Sequence, residues 1–188
     1  MFSTIDSQIV LALNHLALTN DLTKFVVVFC SNGLIAIVVS VAIMYFLFNF
    51  PLSAGQRVRP IIGYAAVSIL LAMAAGYIIE TFIGRARPFA LLSDISVIGS
   101  IPKNTSMPSL HTLAAFAFAG AFIFWRPKVN HAWWLIAAAT LVGLSRIAAG
   151  LHYPTDVLVG AAIGITCAYL VVYEGSPVFR WLSRGQQR

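Results

Sequence analysis

Five long apolar runs limit what this chain can fold into. Residues 25–48, 60–83, 108–125, 132–149 and about 155–173 each approach the roughly 20 residues an α-helix needs to cross the bilayer core. In lipid a backbone must satisfy its own hydrogen bonds, which leaves helices or a closed barrel. The chain is 60% hydrophobic and 10% charged, with a mean hydropathy of +0.88, outside the soluble range. The expected architecture is all-α and integral to the membrane: one domain, 1–188, built as a bundle of about five transmembrane helices. Residues 1–20 differ. Phe2, Ile5, Ile9, Leu13 and Leu16 recur at helical spacing with Asp6, Asn14 and His15 between them, which predicts an amphipathic helix lying on the membrane surface.

The net charge of +6 does not indicate nucleic acid, because the basic residues sit in short loops between apolar runs rather than along one face. Arg57, Arg59, Arg126, Lys128, Arg180, Arg184 and Arg188 fall on one side of the expected bundle. The positive-inside rule places that side, with a basic tail at 176–188, in the cytoplasm. Trp125, Trp133, Trp134 and Trp181 fall near the same interface, as an aromatic belt would. Cys30 and Cys167 lie inside apolar runs and read as packing residues.

Ionisable residues between apolar spans are costly and therefore candidates for function. Three groups stand out: Arg85-Ala86-Arg87-Pro88-Phe89, Pro108-Ser109-Leu110-His111, and the stretch from Ser145-Arg146 through His152 to Asp156. They end the second run, begin the third, and join the fourth to the fifth, so all fall on the outward side of the membrane. Residues 85–107 form a long outward loop rich in apolar residues, read either as a flap over the site or as packing across helix ends.

The inventory suits phosphoryl transfer, which needs a nucleophile, a cationic clamp and a proton for the leaving group. His152 is placed to be the nucleophile, with Asp156 holding its other ring N–H. Arg87 and Arg146 suit the clamp. Ser109, Leu110 and the start of the third helix offer donors to an anion, and His111 is the natural acid for the leaving oxygen. Arg146 and Asp156 taken alone would equally suit an ion pair between helices. The five ionisable residues falling on one side favour a site.

These stretches resemble the type-2 phosphatidic acid phosphatase family of membrane lipid phosphatases, whose pattern is Lys-x6-Arg-Pro, Pro-Ser-x-His, then Ser-Arg-x5-His-x3-Asp. Arg87-Pro88 matches the end of the first element, Pro108 to His111 the second, and Ser145-Arg146, His152 and Asp156 the third in full. The resemblance implies a phosphohistidine at His152, His111 as leaving-group acid, Arg87, Arg146, Ser109, Leu110 and Ser145 around the phosphate, and a reaction without metal or cofactor. The partners it implies are the bilayer and a lipid (pyro)phosphate, with no obligate protein partner evident. The short chain and its Arg-Pro-Phe element look most like bacterial undecaprenyl pyrophosphate phosphatases of the bacitracin-resistance type.

The first element departs from the pattern, since its Lys would fall at position 80 and this chain has Glu80. Arg85 or Lys103 would have to supply the missing cation, and Glu80, near Arg87 on a helix face, would orient it. Other readings are a phosphatidic acid or phosphatidylglycerol phosphate phosphatase, a lipid phosphotransferase, or a lipid-binding or transport protein with a vestigial site.

Overall fold

The computed structural model describes residues 4–34, 36–37, 39–40, 44, 55–102, 105–125 and 133–174, with the backbone alone at 55–60 and 174. Every regular element among them is helical: α1 (Thr4–Ala17), α2 (Asp21–Val28), α3 (Gly55–Ile83), α4 (Pro88–Leu91), α5 (Leu110–Trp125), α6 (Trp133–Ala148) and α7 (Pro154–Tyr169). α2 continues into a π-helical turn at Phe29–Gly33 and α7 into another at Leu170–Glu174.

Local chemistry sets the helix ends. Asn20 accepts from the Thr23 N–H at 2.9 Å, while Thr23 accepts from the Asn20 N–H at 3.4 Å. This reciprocal cap starts the first run at Asp21 rather than at residue 25. Gly84 ends α3 with a φ of 57°, a conformation costly for any residue with a Cβ. Pro154 opens α7, where a missing N–H costs nothing.

The stretches Ile61–Leu91 and Pro154–Tyr173 contain helix long and apolar enough to cross a membrane. α5 and α6 have 16 residues each, or about 24 Å at 1.5 Å per residue, short of the about 30 Å hydrocarbon core. At the end where they meet, the non-helical segments 105–109 and 149–153 take over.

α5 is the buried centre, packed between α3, α6 and α7. Its contact with α7 depends on small residues. A Cβ on Gly160 would lie 2.8 Å from the Ser109 carbonyl, one on Gly164 would meet the Leu113 carbonyl, and one on Gly120 would lie 2.8 Å from the Ala168 methyl. This Gly-x-x-x-Gly approach draws backbones together and fixes the first turns of α5 and α7 side by side, with the Ser109 N–H donating to the Asp156 carbonyl at 3.1 Å.

α1 is arranged differently from a helix with its polar face in water. Asp6 and Asn14 are buried with Val10 and Ala17, whereas Ile5 is 65% and Leu16 62% exposed. Asn14 is fully satisfied: its amide donates to the Ser96 and Ala148 carbonyls at 2.9 and 2.8 Å and accepts from the Ser96 N–H at 3.1 Å. Asp6 and Asn14 therefore dock the helix together with Val10 and Ala17, while Ile5, Ile9 and Leu16 stay exposed.

The loop after α3 is tied at several points. Phe89 packs with Ala17, Ile98, Ala149 and Leu151, the Ile98 N–H reaches the Ala149 carbonyl at 3.1 Å, and the Ser106 N–H reaches the Arg85 carbonyl at 2.8 Å. Leu91 and Ile101 remain exposed. Lys103, Arg126, Lys128, Arg180, Arg184, Arg188, Trp181 and the 176–188 tail lie outside the described residues, and Arg57 and Arg59 are described by backbone alone.

Candidate active site

The break after α3, the first turn of α5, the last turn of α6 and the 149–153 crossing meet at one end of the bundle. Gly150, with a φ of 74°, turns the chain sharply out of α6. The crossing then passes over the site and delivers His152 just before α7. Arg87 is extended ahead of Pro88, as a residue preceding proline must be. These segments enclose a cavity of about 450 Å³ lined by Arg87, His111, Arg146 and His152, with Tyr77, Leu110 and other apolar residues. Among the described residues no carboxylate lines it, so the cavity is suited to an anion.

His152 is held in one orientation. Its Nδ1 lies 2.6 Å from the main-chain carbonyl oxygen of Ser106. A carbonyl only accepts, so Nδ1 carries the proton and Nε2 the lone pair. Nε2 is 3.2 Å from Arg87 Nη1, which also donates to the Leu151 carbonyl at 2.8 Å. Burial first, then the charges of Arg87 and Arg146, push the ring well below the ordinary imidazole pKa and keep it neutral. Arg146 is held from the π-helical turn that continues α2: its Nη1 donates to Ser31 Oγ at 2.8 Å and to Asn32 at 3.4 Å. Its buried Nε has no acceptor among the described residues.

Asp156 does not hold the His152 ring directly. Its Oδ2 lies 3.9 Å from Nδ1, because that oxygen accepts from the Ser106 hydroxyl at 2.6 Å and the Tyr153 N–H at 2.8 Å. The carboxylate thus fixes Ser106, whose carbonyl fixes the ring.

The expected phosphate donors separate into two groups. Arg87, Arg146 and Leu110 line the cavity with His111. Ser109 instead pairs its hydroxyl with Thr112 at 3.0 Å, and Ser145 donates to the Val142 carbonyl at 2.7 Å. Neither lines the cavity. Arg85 does not replace the missing cation either. It is buried, donating to Asp156 at 2.5 Å, Thr155 at 2.6 Å and Asp6 at 2.8 Å, with its guanidinium 4.0 Å from the centre of the Tyr153 ring. Glu80 accepts from the N–H and hydroxyl of Thr105 at 2.9 and 3.1 Å, so it pins the end of the loop that supplies Ser106.

Sequence reasoning passed over Ser106, Thr155, Asp6 and Ser31. Ser106 acts through its backbone as well as its hydroxyl, Asp6 and Ser31 lie far from the motifs, and Thr155 lies inside the third motif at a position its pattern leaves open. For Asp6 the available signal was a carboxylate in an otherwise apolar helix. Among the described residues no group of three His, Cys, Asp or Glu is placed to hold a metal ion.

A sequence model described as the PAP2 superfamily matches residues 61–177, more than half of the chain. The chain is a member of the PAP2 superfamily. It is 31% identical over 115 residues to the bacitracin transport permease protein BcrC of Bacillus licheniformis, covering 61% of this chain and 56% of that protein. It is 28% identical over 163 residues to the undecaprenyl-diphosphatase BcrC of Bacillus subtilis strain 168, covering 87% and 80%. The chain thus spans little more than half the length of the first relative and four-fifths of the second. The crystal structure of Aquifex aeolicus LpxE superposes with a TM-score of 0.70 at 24% identity, covering 92% of this chain and 97% of that one; this likeness concerns the fold.

Proposed function

We propose that this PAP2 protein is a membrane lipid phosphatase that removes the terminal phosphate of a polyprenyl pyrophosphate, recycling a carrier lipid of the undecaprenyl type. The observation that carries the reading is the cavity in which a neutral, oriented His152 faces two arginines and a second histidine. The similarity to a protein named undecaprenyl-diphosphatase supports the substrate class.

In this reading His152 Nε2 attacks the terminal phosphorus. The bond from phosphorus to the bridging oxygen breaks, and the lipid monophosphate leaves with a proton from His111. Arg87 and Arg146 bind the equatorial oxygens. Ser106 and Asp156 hold the ring as it becomes a phospho-imidazolium. Water then attacks the phosphohistidine while His111 takes its proton, releasing phosphate and neutral His152. Every group needed comes from a side chain, so the reaction is proposed to need no metal.

An apolar cavity of about 190 Å³ supports a lipid substrate. It shares Ala114 with the site and continues inward along Ile69, Phe118, Ala139 and Val142. These positions lie one helical turn or more below Met73, His111 and Arg146, so a chain attached to the phosphate would enter it. By the same reading α3, α5, α6 and α7 span the membrane with the 25–48 run, α1 rests its exposed leucine and isoleucines on the outer surface, and the site faces outward. The 85–107 loop, with Leu91 and Ile101 exposed, lies where the lipid enters.

The test is phosphate release by the detergent-purified protein without added metal, comparing undecaprenyl pyrophosphate with phosphatidic acid. Turnover of the pyrophosphate that His152→Ala abolishes is expected. Preference for phosphatidic acid would move the protein to glycerolipid chemistry. No release from either by folded protein would favour a binding or transport role.

A further inference from the structure

Asp6 lies outside the segment matched by the family, 61–177, yet its carboxylate is buried at the first turn of α7. Oδ1 accepts from the Thr155 N–H at 3.2 Å; Oδ2 accepts from the Thr155 hydroxyl at 2.6 Å and from Arg85 Nη2 at 2.8 Å. It caps α7 from another helix, where the first-turn N–H groups favour an anion. Arg85 donates through Nη1 to Asp156, which holds the Ser106 hydroxyl, while the Ser106 carbonyl holds the His152 ring.

We infer that Asp6 is a positioning residue for His152, acting through Arg85, Asp156 and Ser106, so that α1 is a working part of the site. The inference rests on the proposed role of His152. Its physical basis is charge sharing: the buried guanidinium of Arg85 lies between two carboxylates. Neutralising Asp6 removes one of the two carboxylates seen to share it. A buried charge deprived of a partner is expensive, so Arg85 shifts toward Asp156 and competes with Ser106 for the carboxylate. Ser106 then moves, and the lone pair of Nε2 moves with it. Displacements of this size at a nucleophile cost turnover more than binding.

Docking of α1 alone is a different role, and Asn14 separates the two. Asn14 is buried on the same helix face but bonds to Ser96 and Ala148 rather than to Arg85. The experiment measures kcat and KM of the full chain in detergent with farnesyl pyrophosphate as a soluble probe, alongside thermal unfolding. Asp6→Asn is expected to lower kcat by about tenfold or more with KM within about twofold. Asn14→Ala is expected to lower thermal stability while keeping kcat per folded molecule within about twofold. Thr155→Val removes part of the same tie without a charge change; it is expected to lower kcat in the same direction and replaces Asp6→Asn if that variant does not fold. The inference is overturned if the Asp6 variant, or Thr155→Val in its place, keeps the kcat of the unaltered protein, or if Asn14→Ala loses as much kcat. The His152→Ala control keeps the two readings apart. If that variant still turns over, the assignment of the nucleophile fails and the inference with it. If it is inactive while Asp6→Asn is unaffected, the inference alone fails.

Discussion

The main-chain carbonyl of Ser106 lies 2.6 Å from Nδ1 of His152. A backbone acceptor cannot be removed by substituting the side chain, so the hydroxyl and carbonyl of Ser106 can be tested apart. Ser106→Ala keeps the carbonyl but breaks the tie to Asp156, and should lower kcat by about tenfold. Ser145→Ala, whose hydroxyl among the described residues bonds back to the Val142 carbonyl of its own helix, should stay within about twofold of the unaltered kcat. Steady-state phosphate release distinguishes them, and equal losses would contradict the geometry.

The neutral ring of His152 sets a pH dependence. Burial, then Arg87 and Arg146, hold its pKa well below 6.5. Protonation of Nε2 ends nucleophilicity, so the acid limb that belongs to this residue should fall below pH 6.5, with kcat/KM still high there. Stability should move in the same sense. The unfolded histidine takes a proton below about 6.5 and the folded one does not, so its contribution shrinks as pH drops through that value. A kcat/KM profile and thermal unfolding at pH 7.5 and 5.5, values chosen to lie about one unit either side of it, test both. An acid limb above 6.5 that disappears in His111→Gln would assign the limb to the wrong residue here.

Vanadate mimics a five-coordinate phosphorus and should inhibit at the cavity between Arg87, Arg146 and His152. Activity should survive exhaustive chelation with EDTA, since histidines and arginines supply the attack, the clamp and the proton. Loss of activity in EDTA, restored by a divalent ion, would overturn the metal-free mechanism.

Gly164→Leu should separate α5 from α7, because even a Cβ at that position meets the Leu113 carbonyl. Overpacking of this kind costs about 1–3 kcal/mol. Thermal unfolding in detergent should show a lower midpoint, and activity should fall with it because Ser109 and Asp156 lose their register.

Ala139→Phe fills the apolar cavity below the site. If that cavity takes the start of the lipid chain, KM for undecaprenyl pyrophosphate should rise about tenfold or more while hydrolysis of a water-soluble aryl phosphate is spared. Equal effects on both substrates would exclude the cavity from chain binding.

Much of the site was legible because its key residues sit at helix ends. Arg87, His111, Arg146 and His152 follow from counting apolar runs, and the bundle brings those ends together. Ser109 and Ser145 mislead because neighbours in sequence on a helix point about 100° apart; one turns to Thr112 and the other to its own backbone. Arg85 reads like a spare cation, but two carboxylates compete for it. Ser106 carries no pattern because a carbonyl is present at every residue. α1 is helical where its spacing predicts a helix, but the face it buries carries Asp6 and Asn14 beside Val10 and Ala17, because both polar side chains find partners there.

The contact between Asp6 and Thr155 also imposes an order on biosynthesis. The two residues are 149 positions apart, so Asp6 leaves the ribosome long before its partner exists. Arg85, Ser96 and Ala148, the other residues that receive α1, are also made later. α1 therefore cannot make these contacts until α7 has been synthesised. The chain of contacts from Asp6 to His152 thus closes only after residue 155 has been made.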